Sequence, residues 1–130
     1  MPIIERLKVR SDFLRVAATR KRWATPGLVL QVAKTPEEIS DDDIIRVGFT
    51  ASKKVGDAVT RNRARRRLRE AVRQVMPAHA TPGRDFVVIA RANTVRRPYS
   101  DLITDLESAL QKLDVWANAN SPAPGTETTQ

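Results

Sequence analysis

The apolar positions of the chain change their spacing from one segment to the next. Residues 28–33 form an apolar run rich in β-favouring side chains, which is typical of a strand. Residues 44–51 alternate, so that Ile45 and Val47 would share one face of a second strand. The run over residues 85–91 is nearly all apolar, which favours a central strand covered on both faces. These three segments predict one small sheet.

Two helices are predicted towards the ends of the chain. Residues 11–18 carry apolar side chains at helical spacing, with Ser11 as the N-cap. Ser100 caps another helix, whose leucines recur at i, i+4, i+8 and i+11 and therefore lie on one face. The tail over residues 118–130 has little to bury and is predicted to be disordered. The order helix, strand, strand, helix, strand, helix predicts a single α/β (α+β) domain over residues 1–117.

The longest predicted helix runs from a cap at Asp57 or Thr60 to Val75 and ends before Pro77. Rotation by 100° per residue places its small and aliphatic side chains in one stripe and most of its arginines on the other side. One glutamate answers seven arginines in this helix, and like charges repel at i, i+4 spacing. Such a helix is poorly suited to stability alone, so its basic side is predicted to bind a polyanion.

Charge is sorted along the chain into patches. The 130 residues include 23 basic and 15 acidic side chains, a formal net charge of +8, and 17 of the basic residues are arginine. Residues 53–73 hold nine basic against two acidic side chains, and residues 6–22 hold seven against one. Residues 37–43 instead hold five acids. A nucleic acid is the predicted partner, because arginine binds phosphate through two hydrogen bonds and also stacks on bases.

Several classes of function are excluded or disfavoured by what the chain lacks. Without cysteine there is no disulfide, thiolate zinc site or cysteine nucleophile. His79 is the only histidine and is predicted in an exposed loop, while the acidic run 41–43 is predicted to be solvated, so no metal site is predicted. No glycine-rich phosphate loop, serine triad or membrane-spanning segment is present. We expect a soluble, cytoplasmic protein with no catalytic residues of its own and no membrane partner.

The stretch Arg46–Val72, RVGFTASKKVGDAVTRNRARRRLREAV, resembles the protein component of bacterial ribonuclease P. The resemblance depends on a strand followed by SKK, a turn at Gly56, and the signature RNR at residues 61–63 with further arginines up to Arg69. Weaker similarity on both sides extends it to about 110 of the 130 residues. Only the tail lies outside it.

The resemblance implies both a fold and a function. The fold is a two-layer sandwich of three helices and a small, mostly antiparallel or mixed sheet of three to four strands, as in the second domain of a small-subunit ribosomal protein. A left-handed βαβ crossover is implied, against the usual right-handed rule. The implied function is that of a ribonuclease P subunit, one per RNA, that binds the catalytic RNA and the 5′ leader of precursor transfer RNA. The complex is an endoribonuclease whose chemistry belongs to the RNA with Mg²⁺.

The same resemblance assigns residues to two surfaces. The surface for the RNA subunit consists of basic and amide side chains on the long helix and in the turn before it: Lys53, Lys54, Arg61, Asn62, Arg63, Arg65, Arg66, Arg67 and Arg69. The cleft for the leader lies between the first helix and the sheet: Phe13, Arg15, Gln31, Arg46, Thr50, Ser52 and Arg91. Positions where the family often has further aromatic residues are Ala17 and Gln31 here. Leader binding is therefore expected to depend on Phe13 and on the arginines of the cleft.

An alternative from another class is a structural RNA-binding protein, ribosomal or involved in assembly, with the same sandwich. A helix-turn-helix DNA-binding protein is disfavoured, because the arginine-rich helix is predicted between strands and not beside another short helix. The two RNA-binding hypotheses predict different results in a cleavage assay. Only a ribonuclease P subunit should accelerate leader removal when it is mixed with the catalytic RNA at low Mg²⁺ concentration.

Overall fold

The computed structural model describes residues 2–117, and the predicted tail over residues 118–130 lies outside the described residues. The strands are β1 (Ile3–Arg6), β2 (Arg22–Ala24), β3 (Leu28–Lys34), β4 (Ile44–Thr50) and β5 (Arg84–Ala90). The α-helices are α1 (Arg10–Ala18), α2 (Ala58–His79) and α3 (Tyr99–Lys112). Short 3-10 turns lie before β4, before α2 and before α3.

The strands form one mixed sheet in the order β1-β4-β5-β3-β2. β4 runs parallel to both β1 and β5, whereas β3 runs antiparallel to both β5 and β2. The predicted α+β class and the central position of β5 are confirmed, although the sheet has five strands instead of three to four. α2 connects the parallel strands β4 and β5, which makes a βαβ unit. Its left-handedness stays a prediction.

The two strands that the sequence did not predict form the edges of the sheet. β1 has four residues and β2 has three, and most of their side chains are exposed. Neither segment shows the alternation that a half-buried strand requires. β1 is held by its pairing with β4, and β2 by its pairing with β3. β1 therefore depends on a partner that is distant in sequence, and β2 on the strand that follows it.

Helices pack on both faces of the sheet. Phe86, Val88 and Leu30 lie in the main core, under α2 and α3. Val87 and Ala33, which alternate with them along the strands, lie in a smaller core under α1. α1 packs on β3 and β5 and thus covers only part of that face of the sheet. No helix within the described residues is long and apolar enough to cross a membrane.

The first and last α-helices begin earlier than predicted. α1 starts at Arg10 and α3 at Tyr99, so Ser11 and Ser100 lie inside their helices and are not caps. In each helix the backbone carbonyl of the residue before the first helical one accepts a hydrogen bond, at 3.0 Å in α1 and 2.9 Å in α3. No side chain caps either helix, so the propensity of serine for the cap position misplaced both boundaries.

α2 extends through Pro77 to His79, beyond its predicted end. Proline removes a backbone donor and usually ends a helix. Here tertiary contacts hold the final turn, because Met76 is fully buried and its carbonyl accepts from the backbone of Ala80 at 2.9 Å. The ring of His79 stacks on Trp116 with the ring centroids 4.2 Å apart. His79 is thus a half-buried helix residue, and the prediction of an exposed loop was wrong.

Candidate RNA-binding surfaces

α2 begins at a capped and negatively charged position. The carboxylate of Asp57 accepts a hydrogen bond from the backbone N–H of Thr60 at 2.9 Å. That hydrogen bond lowers the pKa of Asp57, and the nearby charges of Arg61 and Arg63 lower it further. Asp57 is therefore ionised at neutral pH, and its side chain is used to start the helix.

One side of α2 is packed and the other is solvated. The buried side chains are Ala64, Leu68, Ala71, Val72, Val75 and Met76. They lie against the sheet and α3, which confirms the apolar stripe predicted by helical rotation. The exposed side chains between residues 62 and 73 include Asn62, Arg63, Arg66, Glu70 and Arg73. One side of α2 is therefore fixed by packing, and the opposite side presents charged side chains to solvent.

The arginines on the outer side of α2 make few bonds within the protein. Arg73 pairs with Glu70 at 2.6 Å, and Arg65 donates to the side-chain oxygen of Asn62 at 2.6 Å. Within residues 2–117, four further guanidinium groups donate no hydrogen bond and form no salt bridge: Arg61, Arg63, Arg66 and Arg69. These four positive charges lack a partner in the described part of the chain.

The charge of the outer side is costly to the isolated fold. Arg61 lies in the first turn of α2, where the positive end of the helix dipole disfavours a cation. The Nε atom of Arg61 is buried without a hydrogen-bond acceptor among the described residues. Burial lowers the pKa of Arg69, and the neighbouring charges of Arg6 and Arg73 lower it further. An anion bound on this side would offset the repulsion among these positive charges.

The turn before α2 extends the same basic surface. Lys53 and Lys54 are exposed in a 3-10 turn that ends at Gly56, immediately before the cap of α2. On the helix, a shallow concavity of about 270 Å³ is lined by the exposed Val59, by Asn62 and by three arginines. The concavity is open, and its three lining arginines suit a backbone phosphate. We call this region, residues 53–69, the α2 surface.

Arg67 departs from the set predicted to face RNA. Its guanidinium turns inward and donates to the backbone carbonyls of Val95 and Arg97 at 3.0 and 2.6 Å, and also to that of Thr94. These carbonyls belong to the 3-10 turn before α3 and to the residues that follow it. Arg67 therefore joins α2 to this turn, a structural role that the periodicity of the helix did not predict.

The predicted cleft is built around a close contact between α1 and β4. The ring of Phe13 lies over Gly48, where a Cβ atom would be only 2.5 Å from two ring carbons. Only glycine permits this approach, and an isolated glycine within a strand pattern is a sequence signal for it. Phe13 and Ile89 are half-buried members of the smaller core, and Thr50 is paired with Ile89 across the strands. An aromatic ring thus stands beside a partly open strip of the sheet.

Two arginines predicted for the cleft are held in an ion network. Arg15 donates to Asp12 and to the fully buried Asp85, and Arg46 donates to Asp12 at 2.8 Å. Asp85 also accepts from the hydroxyl of Thr35 at 2.7 Å. Burial alone would lower the pKa of Arg15, but its bonds to the two carboxylates raise it. The network fixes α1 on the sheet, so these arginines are less available to a phosphate than the sequence suggested.

The remaining cleft residues occupy different depths. Gln31 is buried in β3, whereas Thr50 is half-buried and Ser52 exposed at the end of β4. Gln31 and Gly48 both pair with Val87, which places Gln31 on the same sheet face as the Phe13 contact. The guanidinium of Arg91 donates to the carbonyl of Thr25 at 2.7 Å. The structure thus brings Phe13, Gln31 and Thr50 to one face of the sheet.

The chain is similar to proteins of one family over nearly its whole described length. The profile of the family Ribonuclease P matches residues 1–114. A ribonuclease P protein component from Paramagnetospirillum magneticum is 55% identical over 128 residues, covering 98% of this chain and 96% of the relative. The component from Ruegeria pomeroyi is 49% identical over 108 residues, covering 82% of this chain and 84% of the relative. The solved structure of the RNase P protein of Staphylococcus aureus has a TM-score of 0.70 and 28% identity, covering 86% of this chain and 97% of that one. The chain belongs to the ribonuclease P protein family, and it is a subunit of ribonuclease P, which functions in transfer RNA processing.

Proposed function

We propose that this ribonuclease P subunit assists removal of the 5′ leader from precursor transfer RNA by binding two RNA molecules on separate surfaces. The α2 surface binds the RNA subunit, and the face of the sheet beside α1 binds the single-stranded leader. The proposal is supported mainly by the four guanidinium groups of α2 that have no partner within the described residues. We propose one protein on each RNA subunit, in the cytoplasm, where both RNA molecules are made.

The mechanism is electrostatic and positional. The RNA subunit and the precursor are both polyanions and repel each other. Fixed positive charge on the α2 surface reduces that repulsion and releases counterions from the RNA. A leader base stacked on Phe13 would add on the order of 1–3 kcal/mol to precursor binding. The protein therefore raises the affinity for precursor without taking part in bond cleavage.

Cleavage itself is assigned to the RNA subunit with Mg²⁺, which makes the assembled complex the endoribonuclease. Residues 2–117 bring no three histidine, aspartate or glutamate side chains together in the manner of a metal site. In the acidic loop, one carboxylate oxygen of Asp41 already accepts from the backbone N–H of Asp43 at 2.8 Å. We propose that the cation is bound by RNA, with the protein acting through its charge and its cleft.

The test is reconstitution with a bacterial ribonuclease P RNA at low Mg²⁺ concentration. The protein should accelerate removal of the leader, and Phe13→Ala should weaken binding of precursor more than binding of mature transfer RNA. Lys112→Gln serves as a charge-matched control, because it removes one exposed positive charge from α3, where the Lys112 ammonium lies 5.5 Å from the centroid of the Trp23 ring in β2. No acceleration would favour the structural RNA-binding alternative. Equal losses of precursor and mature transfer RNA binding in Phe13→Ala would contradict the leader cleft.

A further inference from the structure

A second groove lies between the β1 edge of the sheet and α2, on the face opposite to Phe13. Its volume is about 220 Å³, and three apolar and three arginine side chains line it: Ile4, Phe49, Val72, Arg6, Arg69 and Arg73. We propose that this β1–α2 groove binds one unpaired RNA base together with its flanking phosphates. The inference depends on the proposed function, because the base would belong to the RNA subunit or to the precursor.

Phe49 supplies a fixed aromatic surface in this groove because β1 leaves the sheet early. The pairing of β1 with β4 ends at Arg6 and Val47, and Phe49 lies two residues further along β4. Phe49 remains in contact with the main core but is only partly buried. A half-exposed aromatic ring held by a strand is a stacking platform that accepts any base, since every base has a π-face.

Arg6 provides the second side of a stack. Its guanidinium carbon lies 5.9 Å from the centroid of the Phe49 ring. Carbon atoms in contact are about 3.5–4.0 Å apart, so two stacked layers need roughly 7–8 Å. The existing separation exceeds direct contact, and an outward movement of Arg6 by about 1–2 Å would admit a base between the two groups. Arg6 is exposed and free to make that movement.

Arg69 and Arg73 supply charge for the phosphates on either side of the base. Arg73 is paired with Glu70, whereas the guanidinium of Arg69 has no acceptor among the described residues. None of the described residues that line the groove is acidic. Arginines around an aromatic and aliphatic floor match a ligand that is flat and anionic. The groove is smaller than the roughly 300–1,000 Å³ pockets that hold drug-sized ligands, which fits a single base.

The experiment compares base protection in the two candidate RNA molecules. The ribonuclease P RNA and precursor transfer RNA are each treated with a reagent that modifies the Watson–Crick edge of unpaired bases, with and without protein. We expect native protein to protect a base that Phe49→Leu leaves reactive, while leucine preserves the aliphatic contact with the core. The same variant should bind the RNA that carries the base about 5- to 160-fold more weakly. The RNA molecule for which the variant loses affinity is the one that supplies the base.

Arg6→Gln is the second variant, because the side chain of Arg6 is exposed and its replacement does not disturb the core. It should make the same base reactive, and Lys112→Gln should leave that base protected. The inference is overturned if both groove variants keep native affinity for both RNA molecules. It is also overturned if affinity falls while no base becomes reactive, since that result indicates a loss of general charge or packing. Failure of native protein to bind either RNA would instead overturn the proposed function.

Discussion

Arg66 and Arg67 are neighbours on α2, yet the structure gives them different roles. Arg67 donates to backbone carbonyls of Val95 and Arg97 at 3.0 and 2.6 Å, as well as to that of Thr94. Arg66 is exposed on the α2 surface and has no partner within residues 2–117. We therefore predict that Arg67→Gln destabilises the fold and leaves RNA affinity unchanged, whereas Arg66→Gln weakens RNA binding and leaves stability unchanged.

The expected loss of stability follows from the bonds that Arg67 makes. A hydrogen bond to a charged group contributes about 1.5–3 kcal/mol net, and a buried carbonyl left without a donor carries a similar cost. Thr94 is fully buried, but Val95 and Arg97 are half-buried, so water would replace part of what is lost. We expect Arg67→Gln to lower the free energy of unfolding by about 2–4 kcal/mol. For a domain of this size, Tm would fall by roughly 8–16 °C.

The two variants are compared by thermal and urea unfolding and by their salt-dependent affinity for the RNA subunit. Arg66→Gln should unfold within about 0.5 kcal/mol of the native protein. It should also reduce the magnitude of the log–log salt slope by about 0.7, the value for one phosphate contact. If Arg67→Gln unfolds like native protein and produces this change in slope instead, its guanidinium contacts RNA and the reasoning is refuted.

Two further predictions concern α1 and the start of α2. Gly48→Ala would place a Cβ atom 2.5 Å from the Phe13 ring, so overpacking should cost about 1–3 kcal/mol and weaken precursor binding. A Gly48→Ala protein that unfolds and binds precursor like the native protein would contradict this prediction. Asp57 stabilises the fold above its unfolded pKa, and that contribution is lost as pH falls through its lowered folded pKa. Asparagine at position 57 still caps the helix but does not titrate, so Asp57→Asn should reduce the decrease in Tm at acid pH. An unchanged decrease in Tm would contradict the role of the Asp57 carboxylate as a cap.

Elements with a local signal were predictable from the sequence. β5 is nearly all apolar and is central, and the buried stripe of α2 follows helical rotation. β1 and β2 were missed because their pairing with β4 and β3 stabilises them, and no local pattern records that pairing. The helical turn beyond Pro77 was missed for the same reason. Its stability comes from packing of Met76 and from the stack of His79 on Trp116.

The composition of the candidate surfaces was predictable, but the use of each arginine was not. Rotation by 100° per residue places Arg67 beside the apolar stripe but does not show the carbonyls that Arg67 meets. Asp12 and Asp85 are far apart in sequence, and only the fold brings both of them to Arg15. A guanidinium binds whichever acceptor is nearest in space. Basic residues therefore identify a surface from sequence alone, while their individual roles depend on tertiary structure.

The central claim is that the outer arginines of α2 neutralise phosphates of the ribonuclease P RNA. The most direct measurement is the dependence of the association constant on salt concentration. About six phosphate contacts predict a log–log slope near −4 to −5, and replacing Arg61, Arg63 and Arg66 together with glutamine should reduce its magnitude by about 2. A native slope near zero, or a slope that this triple variant leaves unchanged, would contradict the claim.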